Sequence, residues 1–525
     1  MTNFIKSKPF WWGIAIVSIA LTIQIIMAKN TLLWVDEIFS VAVATGHSLE
    51  HPASEAEPAL GDFVQGTKPR PREEIAAYLN PENGSTSPGR VIRATFKSDT
   101  SPPLYCVLLG FWIRFIGTGD LAVRGLSIFC TILCLPFLAD LARHIAGRRV
   151  AGFASLLFAL SPITAYYGTE ARMYSLLWLC VIVSAWTAMQ LRIARRRVGL
   201  HLLWVLISAA GFLTHYFFIF PWAATCAWLF LRPGRMRRWE FVVTGAIMVL
   251  ALLPWYMRLP DSLAQWRITQ DWLKWTPWKF SLKGALIDLL KQKKKKKMEY
   301  LWYVSWKVEY AAAFLTFGLF LMLLIRARRR LLSPRMSLPC LWFGAAVAGP
   351  FVFDFVQGTY TSAIPRYAIT ALPAACLLLS LALKYWHPLL RWCAVLLLLT
   401  TWSLSYLNIL QTPDRSGFRI SDVVRLIDHK PGREDLVIVH GIPSAVLAVA
   451  HYCHFDAPMY PWVGQLGERS VPGSIESVIA GRERVYFIRL HDVGESAPEL
   501  DWLRANTQLD WEDDWSYGGV FVFRP

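Results

Sequence analysis

Apolar runs, many long enough to cross a membrane, are separated by short arginine-rich turns along most of this 525-residue chain. That pattern leaves few folds open. The first run extends from about Phe10 to Ala28, enough to span a hydrocarbon layer of ~30 Å. Others follow at roughly 120–146, 150–167, 172–191, 200–214, 216–231, 239–259, 308–327, 337–357, 367–384 and 389–410. Backbone in lipid must satisfy its own polar groups, so these runs predict a bundle of α-helices. Composition agrees: 55% of residues are hydrophobic and 25 are tryptophan, the residue that collects at membrane interfaces. A net charge of +17 would point to nucleic acid in a soluble protein. Here it lies in turns between apolar runs, so it reads as a topology signal and no nucleic-acid partner is expected.

The basic turns are Arg143, Arg148 and Arg149; Arg192 and Arg195–Arg197; Arg232, Arg235, Arg237 and Arg238; Arg326, Arg328–Arg330 and Arg335; and Lys384 with Arg391. The positive-inside rule puts them in the cytoplasm with Lys6 and Lys8. The first run lacks a small-residue cleavage site, so it reads as an uncleaved anchor. Pro102–Gly117 is apolar but short and carries Arg114. Counting it as a crossing would invert every later turn, whereas an interfacial or re-entrant helix keeps them all in register. The expectation is eleven crossings over residues 1–410, N-terminus inside and C-terminus outside.

Two outer loops are long. Residues 29–101 are polar, with Pro, Gly and Ser near 80–89 and a short helix expected over Arg72–Leu79. The second, 260–307, holds an amphipathic stretch at Phe280–Leu290 and the lysine run 291–297, read as a solvated tail. Residues 411–525 have the composition of a small α/β domain on the outer face. Helices are expected at Ser421–His429, Ser444–Cys453 and Pro498–Ala505, and strands at Leu436–His440, Arg484–Leu490 and Gly519–Arg524. Eight of nine cysteines sit in or beside apolar segments and Cys453 is alone in the outer domain, so no disulfide framework is expected there. His451-Tyr452-Cys453-His454 resembles metal-ligand spacing only loosely, without a second ligand pair at zinc-site distance, and no metal is assigned to it. No internal repeat and no phosphate-cradling glycine motif is present.

Parity places Asp36, Glu37, Asp99, Arg124, Glu170, Arg172 and Arg366 on the same outer face. Asp36 and Glu37 follow the first span in Leu33-Trp34-Val35-Asp36-Glu37-Ile38-Phe39. Acidic groups at a bilayer edge need a reason, although a solvated loop pair is an equal reading of these two alone. Arg124 lies inside an apolar helix start, where an unpaired guanidinium is costly. Glu170 and Tyr174 are one helical turn apart, and Arg172 between them could simply snorkel. Arginine forks bind phosphate oxygens bidentately. Several near two acids suggest a phosphate-bearing lipid substrate and a carboxylate base.

The ordered set resembles one family. Asp36-Glu37, Pro102-Pro103-Leu104-Tyr105, Leu121-Ala122-Val123-Arg124, Ser161-Pro162 with Tyr166-Tyr167, and Glu170-Ala171-Arg172-Met173-Tyr174 occur in sequence. Leu213-Thr214-His215-Tyr216 and Arg366-Tyr367 with Leu372-Pro373 follow. The pattern looks like the bacterial branch related to protein O-mannosyltransferases and lipid-A aminoarabinose transferase, the C-type glycosyltransferase (GT-C) fold. The resemblance covers about residues 10–410. It implies transfer of a sugar from a polyprenyl-phosphate donor to a lipid, glycan or protein hydroxyl at the periplasmic side of a bacterial inner membrane, with inversion. It makes Asp36 the base and Glu170 the second acidic residue; Glu37 or Glu170 is expected to orient the acceptor or to pair with an arginine. Asp99, Arg124, Arg172, Tyr174, His215, Tyr216, Arg366 and Tyr367 are the expected substrate contacts. Members commonly carry His or Lys just before the Pro-Pro step; this chain has Ser101 there, with Asp99 two residues earlier. Family members differ over a divalent ion, and no cofactor is committed. Rival readings are a lipid-linked-glycan flippase or transporter, a glycan ligase or polymerase, and a non-catalytic glycan-binding subunit.

Overall fold

The computed structural model describes residues 8–82, 85–194, 198–265, 336–411, 413–463, 471–491, 497–515 and 518–525, with isolated positions between 266 and 335. The expected span 308–327, the helix Phe280–Leu290 and the lysine run lie outside the described residues or touch only isolated ones.

The membrane part is built from α1 (Lys8–Lys29), α2 (Val35–Ala44), α3 (Arg72–Ala76), α4 (Pro88–Ser98), α5 (Leu104–Ile116) and α6 (Asp120–Ala146). It continues with α7 (Arg148–Leu160), α8 (Pro162–Gly168), α9 (Tyr174–Ile193), α10 (Val198–Phe212), α11 (Ile219–Leu231), α12 (Arg238–Tyr256) and α13 (Leu259–Ala264). After the undescribed stretch come α14 (Ser337–Gln357), α15 (Leu372–Lys384) and α16 (Pro388–Gln411). Among the described residues six helices are long and apolar enough to cross a membrane, and α7 with α8, bent by 58°, would make a seventh. Four more apolar helices are shorter: Leu104–Ile116, Val198–Phe212, Tyr216–Leu231 and Ile369–Lys384. Length separates these four from the six, and the first is the stretch read as interfacial.

α6 sits at the centre, packed on α1, α5, α7 and α9. It starts after Gly119 and stops at Gly147, whose φ of 91° lies in the left-handed region that glycine enters without steric cost. Arg124 is near one end and Arg143 at the other, so a single helix ties the acid–arginine cluster to the basic turns at the far end. There Lys384 Nζ reaches the Ala146 carbonyl at 3.3 Å and Arg235 N the Arg192 carbonyl at 3.0 Å.

The outer polypeptide adds α17 (Ile420–Ile427), β1 (Leu436–His440), α18 (Pro443–Tyr452), β2 (Met459–Trp462), α19 (Val471–Ile479), β3 (Val485–Leu490), α20 (Pro498–Asn506), β4 (Gln508–Trp515) and β5 (Gly518–Arg524). The sheet order is β2-β1-β3-β5-β4, parallel for the first three and antiparallel for the rest. β2 and β4 escape a reading by hydrophobic alternation, and both are edges. β2 holds Pro461, which sheets tolerate at an edge. β4 holds Asp510, Glu512, Asp513 and Asp514, charges of the kind that blunt an edge against further pairing.

The loop over residues 29–101 is folded. Arg93 and Lys97 of α4 both reach the buried Asp62 carboxylate, at 2.7 and 3.0 Å. Arg70 exchanges backbone hydrogen bonds with Met459 on the open side of β2. α18 packs on α2 and α3, so the C-terminal sheet region and the 29–101 loop pack against each other.

Candidate active site

α2 carries Asp36 and Glu37 in its first turn, and helical geometry sends them to different faces. Glu37 points inward. Arg124 donates Nε to Oε1 at 2.8 Å and Nη2 to Oε2 at 2.6 Å, a bidentate fork with both side chains fully buried. Ala171 N (2.8 Å) and Trp34 N (3.3 Å) occupy the remaining acceptor directions of Glu37. The other Arg124 N–H groups reach the carbonyls of Ala28, Thr31 and Leu32 at 2.6–2.8 Å. All five guanidinium N–H directions are therefore used, which leaves none for a phosphate. The pair fits the expectation that Glu37 either orients the acceptor or pairs with an arginine, and it gives Arg124 the partner that its burial demands; an unpaired charge at that depth would be far costlier than the pair. Burial opposes ionisation of Glu37, but Arg124, Arg415 and the Ala171 N–H outweigh it and hold the carboxyl below its usual range.

Asp36 faces the other way and is partly exposed, at 28%. Arg366 Nη1 donates to Oδ2 at 3.1 Å. The Arg366 guanidinium also lies 6.0 Å from the Trp34 ring and 5.7 Å from the Tyr367 ring. Arg172 stands on the same side: its Nη1 donates to Ser40 Oγ at 3.2 Å, and Ser40 Oγ donates to the Asp36 carbonyl at 2.9 Å. Asp36, Asp99 and Tyr174 are electrostatic neighbours of Arg172, and Arg172 Nε is buried without a hydrogen-bond partner among the described residues. Asp99 is also an electrostatic neighbour of His215 and Tyr367. One carboxylate, with an oxygen that has no partner among the described residues, thus meets two guanidinium groups, with Asp99, Tyr174, His215 and Tyr367 around them.

His215 accepts from Phe217 N through Nδ1 at 3.0 Å, which leaves its Nε2 as the protonated nitrogen of the neutral ring. Burial, with Arg172 nearby, pushes its pKa down to about 4. Its ring is 6.1 Å from that of Tyr367. Tyr216 instead sits edge-on to Tyr256 at 6.1 Å.

Glu170 is an electrostatic neighbour of both Glu37 and Asp36. Trp34 Nε1 donates to its Oε1 at 2.9 Å, while Oε2 is buried without a partner among the described residues. Burial and the neighbouring Glu37 charge push its pKa up to about 8, so the carboxyl is largely protonated at neutral pH. It is suited to donating a hydrogen bond, not to taking a proton.

Three residues of this network were not anticipated. Trp34 links Glu170 to the α2 start. Ser40 couples Arg172 to the Asp36 turn. Arg415 is buried and donates to Thr31 Oγ1 (3.3 Å), Thr169 Oγ1 (2.7 Å) and the Tyr166 carbonyl (3.0 Å). The first two lie within or beside motifs already singled out. Arg415 sits in a linker with no periodicity, and nothing in the sequence around it signals burial.

Residues 100–257 match the family described as "Dolichyl-phosphate-mannose-protein mannosyltransferase". No protein of curated function matches the chain. Among solved structures, ArnT from Cupriavidus metallidurans bound to undecaprenyl phosphate is similar, with 13% identity, 98% of each chain covered and a TM-score of 0.57. The apo state of the same protein gives 13% identity, the same coverage and a TM-score of 0.54. A third likeness, to the Archaeoglobus fulgidus oligosaccharyltransferase in its apo form, has 11% identity, covers 91% of this chain and 69% of the other, and has a TM-score of 0.45. At such identity the ArnT match shows a shared fold over nearly the whole length. Together with the family match over the segment from Pro102 to His215, it bears out the resemblance read from the residues.

Proposed function

We propose that this chain, a GT-C membrane glycosyltransferase by family segment and by fold, moves a sugar from a polyprenyl-phosphate carrier to a hydroxyl of a cell-envelope acceptor. The observation that carries the reading is the Asp36–Arg366–Arg172 constellation: a carboxylate with one free oxygen beside two guanidinium groups. ArnT, which shares the fold, is a structure with undecaprenyl phosphate bound, and a lipid phosphate is the leaving group this cluster suits.

Asp36 takes the proton of the acceptor hydroxyl as that oxygen attacks the anomeric carbon. The bond from that carbon to the phosphate oxygen breaks, and the electron pair leaves on the polyprenyl phosphate. Arg172 and Arg366 face the charge that builds there; such preorganised cations are often the largest contribution to a rate of this kind. Arg366 is shared: the donor phosphate competes with Asp36 for it, so donor binding frees the base at the moment it is needed. His215 Nε2–H, Tyr174 and Tyr367 offer further donors to phosphate or sugar. Protonated Glu170 and the Glu37–Arg124 pair position α2 and its Asp36. A single displacement inverts the anomeric centre, and a retained product would sink this scheme. No metal is assigned a step.

The proposed placement is a bacterial inner membrane, with eleven crossings over residues 1–410 and 411–525 on the periplasmic side. The charge pattern supports it: the acid–arginine cluster and the basic turns lie at opposite ends of α6. The direct test is the purified chain in nanodiscs with a synthetic polyprenyl-phosphate sugar and an envelope-lipid extract. Release of polyprenyl phosphate coupled to a new glycoside is expected. Movement of the lipid-linked sugar between leaflets with no glycoside formed would favour a transporter instead.

A further inference from the structure

A second cluster of chemically able side chains lies outside that site, on the outer polypeptide. Asp428 and His429 close α17, and His454 follows α18 by two residues. The three offer one ligand atom each, all within 4.8 Å of one another. His454 Nδ1 is 3.4 Å from Asp428 Oδ1, and His429 Nε2 is 3.6 Å from Asp428 Oδ2. Zinc bonds of about 2.0–2.2 Å to imidazole nitrogen and carboxylate oxygen put neighbouring corners of a tetrahedron roughly 3.3–3.5 Å apart. Each imidazole nitrogen is near that edge length from one Asp428 oxygen, His454 from Oδ1 and His429 from Oδ2, so a small turn of the carboxylate would present one oxygen to both.

The backbone fixes the arrangement. His429 N donates to the His454 carbonyl at 2.7 Å, and His454 N donates to Asp428 Oδ1 at 2.6 Å, which orients the carboxylate. His429 has a φ of 57°, a left-handed conformation that is uncommon for a residue with a side chain and tends to mark functional positions. Two surface ion pairs, each worth ~0–1 kcal/mol, give little reason to hold it there. His429 and His454 are 79% and 57% exposed, so an ion has open access. Imidazole nitrogen favours zinc and its transition-metal neighbours over calcium or magnesium.

We infer that Asp428, His429 and His454 form a site for a divalent transition cation, zinc fitting best, with a fourth position left for water or a partner group. The run His451-Tyr452-Cys453-His454 suggested no metal because it holds no second ligand pair. The missing ligands come from Asp428 and His429 on a different turn. The ion would fasten the end of α17 to the segment after α18. Tyr452, two residues before His454, accepts from Leu33 N and donates to Asp120 Oδ2, both at 2.6 Å.

The test uses the full chain in detergent, its purification tag removed and stripped by chelator, titrated with zinc chloride. One equivalent is expected to bind, with a rise in the unfolding temperature. His429→Asn is the decisive variant because asparagine tolerates the left-handed backbone; it should weaken zinc at least tenfold, as should His454→Ala. His451→Gln should bind as the parent does. Absence of saturable zinc binding, or a His429→Asn protein that binds zinc as tightly as the parent, overturns the site.

Discussion

Asp36 and Glu37 are neighbours in sequence, yet one keeps a free oxygen and the other has every acceptor direction filled, because consecutive helical positions point about 100° apart. Their substitutions should therefore fail differently. Glu37→Gln or Arg124→Met leaves a buried charge without its partner and should cost ~3–5 kcal/mol of stability, read as a lowered unfolding temperature and poor yield. Arg172→Lys or Arg366→Lys should fold normally and raise KM for the lipid donor; unchanged KM in both would remove the phosphate-binding role. Glu170 gives a pH signature. Its folded pKa, about 8, stands above the ordinary glutamate value of 4.5, so between these values the native chain holds a proton that the unfolded chain has released. Stability from this group is then intact below about pH 4.5 and lost as pH rises to about 8. Glu170→Gln removes that loss, so its melting temperature should exceed the parent's by an increasing margin across the window. A pH-independent margin would contradict this. Residue types and order announced these positions, but not which way each side chain turns. That depends on packing: Arg124 looked like a phosphate ligand because a sequence does not show the carbonyls of Ala28, Thr31 and Leu32 converging on it.

At the scale of elements, α2 is the part on which the proposed chemistry turns, and it was hidden in the sequence between a span and a polar loop. Its Val-Ala run is too short for a crossing and too uniformly apolar for a surface helix; α18 and α5 bury it. Besides the Arg124 and Arg415 bonds to Thr31 and Leu32, the segment before it is held by Leu32 N to the Pro413 carbonyl at 3.0 Å, Leu33 N to Tyr452 OH, and Trp34 Nε1 to Glu170. Tyr452→Phe keeps the ring and loses the hydroxyl bonds to Leu33 and Asp120. It should lower kcat severalfold with donor KM little changed, as for a positioning residue; equal loss in both would mean general damage. The other side of α2 is set by Gly110 of α5, where an added Cβ would lie 2.5 Å from the Ala44 carbonyl. Gly110→Ala should cost ~1–3 kcal/mol through forced separation of the two helices. The long spans and the core strands were legible because apolar periodicity and length suffice. α2, α4 and the edge strands were not, since their identity comes from what covers them.

For the whole molecule, a helical membrane part followed by a C-terminal α/β region was legible in the sequence, while the side on which that region lies rests on charge parity alone. What the sequence did not announce is that the first loop joins the outer sheet, through Arg70 and Met459, and that Tyr452 and Arg415 reach back to the helices. Orientation is open to direct labelling. In intact cells a membrane-impermeant maleimide should modify Asp456→Cys but reach Arg149→Cys only after permeabilisation; the reverse pattern would invert the topology. The central claim, that Asp36 is the base in a site whose cations hold the donor phosphate, is tested most directly by comparing Asp36→Asn with the parent for kcat and for donor dissociation constant. The account predicts a loss of ~10²–10⁴-fold in kcat with donor bound equally or more tightly, because Arg366 is released to the phosphate. A kcat within tenfold of the parent, or donor binding lost together with turnover, would contradict it.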